Sequence, residues 1–309
     1  MGKPDSTTRN YMKVNRHFAD AFNYFVFNGE QVIEPDSLTE LDPSEAINFS
    51  EGPSNAAIEK QRDVLKQVVL KRDNHATYIL LGIENQQHVH YGMPVRNMLY
   101  DALSYSKQID ELSRKHIEDK DYGAGAADFL SGIHKGDRLR PVVTLVMYWT
   151  PEAWDGPMSI YQMLEDCDAK LLEVIPDYRI NLLTPHGISD ADFGKFRTKL
   201  GAALQFIKAS KDKDKLNSAL ESNPEFQHFD RQTVGLINAV TNSRIQVKDG
   251  EEEINVCTAI NDMKKESFDA GKMDTLIALV KRGLLSVQNA SETAGISTME
   301  FQKLLNDKK

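Results

Sequence analysis

The sequence predicts a mixed α/β domain followed by a helical region. Short β-branched, apolar runs recur between residues 64 and 183 and are separated by helical patterns. One of them, Pro141-Val-Val-Thr-Leu-Val-Met-Tyr-Trp149, is almost continuously apolar, as a strand buried on both faces should be. From Phe193 onward the apolar residues fall at helical spacing instead. The expected division is therefore residues 1–192 and residues 193–309.

Taken in order, Tyr11 to Phe25 carries Val14, Phe18, Phe22, Tyr24 and Phe25 on a helical period, ending near Asn28-Gly29. Val64–Val69 and Tyr78–Ile83 read as neighbouring strands, with Lys71-Arg-Asp-Asn-His75 as the hairpin turn between them. Val89–His116 is helical in pattern, and Pro94 fits its first turn, where a missing N–H costs little. Glu118–Lys135 reads as a polar, glycine-dotted linker. Arg140–Trp149 and Tyr178–Leu183 complete the strands, with a turn at Trp154-Asp-Gly-Pro157 and the start of a helix at Ile160–Leu164. Helices are then expected at Phe196–Lys208, Asp230–Asn242, Ile254–Met263 and Phe268–Lys281. The tail, Val287–Thr293 and Thr298–Leu305 around Gly295, has the size of a helix-turn-helix, but without arginines it reads as a helical cap or docking element.

The 309 residues are 40% apolar and 27% charged, an ordinary globular composition. Cys167 and Cys257 form no CxxC, so neither a disulfide framework nor a thiolate zinc site is indicated, and a reducing cytoplasm is the expected location. No run has membrane-spanning length. The net charge of −9 argues against broad wrapping of nucleic acid. A local strip of Lys66, Lys71, Arg72 and Arg96 nevertheless accompanies the first two strands.

Those strands also carry the candidate chemistry. Asp63 opens the first and Glu84 closes the second, so the two carboxylates are expected on a common rim, where oxygen donors suit Mg²⁺. Gln86 repeats the facing of Glu84 and offers an amide to orient water or phosphate. Each has an ordinary alternative: a solitary acid at a strand start is commonly a turn or ion-pair residue. Asp20 on the first helix is a candidate third acid, or a solvated partner of Arg16. Arg96 and Tyr100 share a helix face suited to phosphate contact, with Lys66 as a further phosphate-binding candidate; core packing accounts for the tyrosines equally well. His88 and His90 lack a third ligand for zinc.

These segments resemble the PD-(D/E)XK nuclease-like transposase family of bacteria, related to the recombination-promoting nucleases. The resemblance runs from Phe18-Ala-Asp-Ala-Phe-Asn23 to Phe206-Ile-Lys208. It includes Arg62-Asp-Val-Leu-Lys66, Gly82-Ile-Glu-Asn-Gln86, Tyr91-Gly-Met-Pro-Val-Arg96, Asp137-Arg-Leu-Arg-Pro-Val-Val-Thr-Leu145, Trp154-Asp-Gly-Pro157 and Asp177-Tyr-Arg-Ile-Asn-Leu182. It implies a restriction-endonuclease-like core, a mixed central sheet flanked by helices, which is expected over residues 1–192; the helical region 193–309, read from its residues alone, is a candidate dimerisation or partner-docking element. Asp63 and Glu84 would be the Mg²⁺ ligands, with Mn²⁺ able to substitute. Gln86 stands where lysine is commoner, and Asp20 matches an acid of the first helix. The implied activity is cleavage of DNA, in recombination or phage defence, by a homodimer if both strands are cut; the alternative is a degenerate relative that binds DNA or a regulatory protein.

Overall fold

The computed structural model describes residues 3–42, 44–48, 57–72, 75–123 and 125–307. The centre of the expected hairpin turn, Asp73-Asn74, and part of the acidic stretch Glu40–Glu51 lie outside them. The chain opens with α1 (Lys3–Lys13) and α2 (Asn15–Phe27), followed by β1 (Thr39–Glu40), β2 (Ser44–Asn48), β3 (Ala57–Gln61), β4 (Val64–Arg72) and β5 (His75–Gln86). Next come α3 (Met93–Asp119), α4 (Ala126–Ser131), β6 (Val142–Tyr148), α5 (Ala169–Leu172) and β7 (Asn181–Leu183). Then follow α6 (Leu200–Ala209), α7 (Lys213–Ser222), α8 (Arg231–Thr241), α9 (Val256–Lys281), α10 (Val287–Ala294) and α11 (Thr298–Asp307).

The fold is mixed α/β. Its central sheet has the order β1-β4-β5-β6-β7. β4 and β5 are antiparallel, while β5, β6 and β7 are parallel. The antiparallel pair is the short-range hairpin; the parallel step to β6 needs a crossover, which α3 supplies. β6 buries Leu145, Val146 and Met147 almost completely, as its unbroken apolar sequence requires. No helix among the described residues is long and apolar enough to cross a membrane.

Three segments differ from the sequence expectation. The first helix is broken at Val14, whose backbone is extended (φ −68°, ψ 120°). Lys66 explains the break: its ammonium is buried and donates to the Lys13 carbonyl at 2.6 Å and to Asn15 Oδ1. The end of α1 is thereby capped by a strand residue, which local periodicity cannot reveal. The presumed linker 118–135 contains α4, and the two helices expected across 254–281 are the single α9.

The chain forms two compact units: one takes in everything to Glu225 with Asp230–Ser243, the other Phe226–Phe229 with the chain from Arg244. Helices α6 to α8 thus belong with the sheet, and the division does not fall at residue 192. In the second unit α9, α10 and α11 enclose Leu276, Ile277, Ala290 and Phe301. The turn between α10 and α11 uses Gly295 at φ +74°, as the tail sequence suggested.

Arg62 holds the sheet-bearing unit together. Its side chain is fully buried and its stem lies over Gly82 of β5, where an added Cβ would fall 2.9 Å from Arg62 Cδ. Nη1 donates to Ser104 (2.7 Å) and Nη2 to Asp101 (2.8 Å), both on α3. Asp101 also accepts from Thr144 of β6 and from the Tyr178 hydroxyl, each at 2.6 Å. Burial, and then the Asp101 charge, push the Tyr178 phenol well above its usual range, so it stays a donor. Because both ends of Arg62 are fixed, it cannot move aside. Gly82→Ala should therefore destabilise the fold by about 1–3 kcal/mol. Urea denaturation tests this, and an unchanged midpoint would refute the close approach.

Candidate active site

Val64 of β4 pairs with Ile83 of β5, so Asp63, one residue before β4, and Glu84, one after Ile83, meet at the same end of the hairpin. The structure brings Asp63, Glu84, Arg96 and Tyr100 together there, with Gln86 two residues further along β5. Pro94 in the first turn of α3 and the Gly92 position just before it start the helix so that Arg96 and Tyr100, four residues apart, face the strand end.

Glu84 is the unusual group. Its side chain has no exposure, and the Arg96 guanidinium lies 3.1 Å from Oε2. That guanidinium and the Asp63 main-chain N–H both lean on the carboxylate, but neither closes a well-aligned hydrogen bond to it. Burial pushes its pKa from 4.5 to about 8, with Arg96 opposing the rise and the Asp63 charge adding to it. Arg96 is held in turn by the Tyr100 hydroxyl (Nε donating, 2.9 Å), and it lies over the Tyr100 ring with Cζ 5.6 Å from the centroid. Tyr100 is buried, which raises its own pKa; the nearby Glu84 charge acts in the same direction. Asn97, the residue after Arg96, is also buried, and its amide has no hydrogen-bond partner.

Asp63 is better satisfied. Oδ1 accepts from Arg9 of α1 (Nη2 2.8 Å, Nε 3.2 Å), and Oδ2 accepts from the Asn85 main-chain N–H at 2.8 Å. Asp63 and Arg9 are each about one-fifth exposed, so this ion pair is within reach of solvent and competing ions. Asn85 also accepts the indole N–H of the fully buried Trp149 (2.8 Å), which fixes the backbone that holds Asp63. Gln86 is half-buried, and its main-chain carbonyl accepts from the Trp149 N–H.

Two candidates serve elsewhere. Lys66 is enclosed at the end of α1, with its ammonium over Phe18 and its pKa lowered by burial; it does not reach solvent and so is corrected from phosphate contact to a structural tie. Asp20 is buried and accepts from the Arg197 and Thr198 main-chain N–H groups (2.9 and 2.8 Å) and from the Thr198 hydroxyl (2.6 Å). These bonds anchor α2 to the turn before α6 and account for both carboxylate oxygens. The sequence does not mark Arg9, Arg62 and Asp101 as site-forming; their partners lie 39 to 77 residues away, beyond any local pattern. His88 and His90 are exposed and make no metal cluster among the described residues.

Comparison with family models, with curated proteins and with solved structures finds no match to this chain.

The raised pKa of Glu84 makes a signed prediction. In the unfolded chain the group ionises near 4.5, in the folded protein near 8. The stabilisation is complete below pH 4.5 and is lost as pH rises through 8, by on the order of a few kcal/mol. His17 acts oppositely: burial lowers its pKa to about 4, so it costs stability as pH falls below 6.5. The difference between wild type and Glu84→Gln therefore isolates Glu84. Its urea midpoint advantage should shrink between pH 5 and 8, and a pH-independent difference would contradict the assignment.

Proposed function

We propose that this chain is a Mg²⁺-dependent DNA endonuclease with a restriction-endonuclease-like core, in which Asp63 and Glu84 hold the cation. The observation that carries the reading is Glu84: a fully buried carboxylate without a well-aligned hydrogen bond, beside a second carboxylate at the end of a central hairpin. Such a group is costly unless it serves a purpose, and a hard divalent cation satisfies two carboxylates at once. When bound, Mg²⁺ supplies Lewis-acid polarisation of the scissile phosphate.

The chain's own residues provide the rest. Arg96, about one-third exposed and braced by Tyr100, is placed to contact a phosphate, and Gln86 offers an amide to orient the attacking water. Arg9 must release Asp63 Oδ1 for the carboxylate to serve a cation. That ion pair favours a second reading, in which the protein binds DNA or a regulatory partner without cutting. Cleavage of both strands would call for a second copy.

Cleavage of supercoiled plasmid distinguishes the two readings. With Mg²⁺ or Mn²⁺ the wild type should nick, EDTA should abolish nicking, and Asp63→Ala or Glu84→Ala should reduce it at least 100-fold, which is about 2.7 kcal/mol or more. Arg9→Ala should lower the Mg²⁺ concentration needed for half-maximal activity. Full activity in Asp63→Ala would sink the site. A folded wild type that binds plasmid without nicking it would favour the second reading.

A further inference from the structure

A second group of ligating side chains lies at the far end of α3 from the carboxylates. His116 is in the last turn of that helix, Asp121 follows it, and His134 and Asp137 come after α4. One ligand atom from each of His116, His134 and Asp137 can be chosen so that all lie within 4.8 Å of one another. The two imidazoles stack with centroids 3.8 Å apart. The Nδ1 atoms of His116 and His134 lie 3.8 and 3.7 Å from the same Asp121 Oδ2.

The geometry points to a binding site for a borderline transition-metal cation, Zn²⁺ by ordinary availability, held by His116, His134 and Asp137 with Asp121 as an outer carboxylate. Imidazole nitrogen selects this class of metal over Mg²⁺, so the site differs in kind from the rim of carboxylates. Ligand atoms around a tetrahedral zinc stand about 3.3 Å apart, as follows from metal–ligand bonds near 2.0 Å. The cluster's atoms, all within 4.8 Å of one another, bracket that separation, so small adjustments of the side chains reach it. Asp137 Oδ2 already lies 2.9 Å from His116 Nε2 and accepts the His134 main-chain N–H at 2.7 Å. These contacts hold the carboxylate in place beside both rings.

A purely structural role accounts for part of this. Asp137 closes the turn His134-Lys-Gly-Asp137, in which its own N–H donates to the His134 carbonyl at 2.9 Å. A turn alone gives no reason for two stacked imidazoles to place both Nδ1 atoms within 4 Å of one carboxylate oxygen. An outer carboxylate on metal-ligating histidines does, since it sets the tautomer and raises the basicity of the ligating nitrogen. The spacing is suitable too: His134-x₂-Asp137 is a close pair on one turn, and His116 is the remote ligand on a helix, so the ion would staple the end of α3 to the segment after α4. Three protein ligands leave a fourth position, and a cavity of about 330 Å³ borders the cluster, lined by His116, Asp121, Tyr122, Phe129 and His134 among others. It has room for a water or a small ligand on the metal.

The test is Zn²⁺ and Co²⁺ binding to the metal-stripped full chain, by equilibrium dialysis and by the visible absorption of Co²⁺. The wild type should bind one equivalent of Zn²⁺ and show the absorption of a tetrahedral, imidazole-ligated Co²⁺. Both properties should persist in Asp63→Ala, which separates this site from the proposed nuclease centre. His116→Ala and His134→Ala should each weaken binding at least 100-fold, and Asp121→Asn about 10-fold. Circular dichroism checks that each variant is folded. Asp121→Asn alters an exposed side chain and keeps the test open if a histidine variant unfolds. A wild type that binds no Zn²⁺, or binding unchanged in either Asp121→Asn or a folded histidine variant, overturns the site.

Discussion

One ion pair, between the fully buried Arg62 and the mostly buried Asp101, determines how α3 sits on the sheet. Arg62 leaves the strand end, passes over Gly82 and ends on α3, while the same Asp101 receives hydroxyls from β6 and from the segment before β7. Three parts of the chain therefore converge on one carboxylate of α3. A buried charge is tolerated only with partners, and removing either member leaves the other uncompensated, at a cost of roughly 3–5 kcal/mol. The consequence reaches the candidate site directly. With Asp101 and Ser104 turned to the sheet, Tyr100 must also face it, and Arg96, one turn earlier, comes to rest against Glu84. Arg62 even shares the Tyr100 ring with Arg96, its Cζ lying 5.3 Å from the centroid. The guanidinium that ties the helix and the guanidinium that meets the carboxylate are thus parts of one stack.

How far the sequence foretells this follows from the range of each interaction. The strands β4, β5 and β6 are legible because β-branched runs report local backbone preference and burial together. The meeting of Asp63 and Glu84 is legible because a hairpin joins neighbouring segments, and its register brings the residues flanking the Val64–Ile83 pair to one end. Lys66 and Asp20 mislead for the opposite reason. A charge at the edge of an amphipathic pattern looks solvated, yet Lys66 caps a helix more than fifty residues earlier and Asp20 receives N–H groups from 197–198. The interruption at Val14 is hidden likewise: the apolar period continues through it, and the break is imposed by tertiary contacts of Lys66 and Asn15. The histidines illustrate the same limit, since His88 and His90 are close in sequence but exposed, whereas His116 and His134 stack across the turn containing α4.

Charge is used sparingly inside this unit, and that sharpens the contrast between Asp101 and Glu84. Asp101 accepts three short hydrogen bonds from side chains, and Asp20 accepts two from main-chain N–H groups and one from a hydroxyl. Glu84, buried as deeply as Asp20, has one misaligned guanidinium, one misaligned main-chain N–H and a neighbouring negative charge. A fold able to satisfy one buried and one mostly buried carboxylate so fully has no evident difficulty in satisfying another. Stability alone would favour a neutral or apolar side chain at position 84. Under the proposed function, the electrostatic deficit at that position is what a bound cation would relieve.

Three agents can relieve that deficit, and they exclude one another in part. A proton does so below about pH 8, which leaves Arg96 without its counter-charge. Arg96 does so incompletely, because Tyr100 holds its Nε and restrains its approach. A divalent cation would do so most fully, but only by drawing on Asp63 as well, and Asp63 is engaged by Arg9. Under the proposed function, α1 thereby enters the site as a competitor: the Arg9 guanidinium neutralises Asp63 when no cation is bound and withdraws when one arrives. The pair is partly exposed, so the exchange costs far less than breaking a buried bridge such as Arg62–Asp101 would. The robust ion pair positions the helix, and the weak one leaves the carboxylate available.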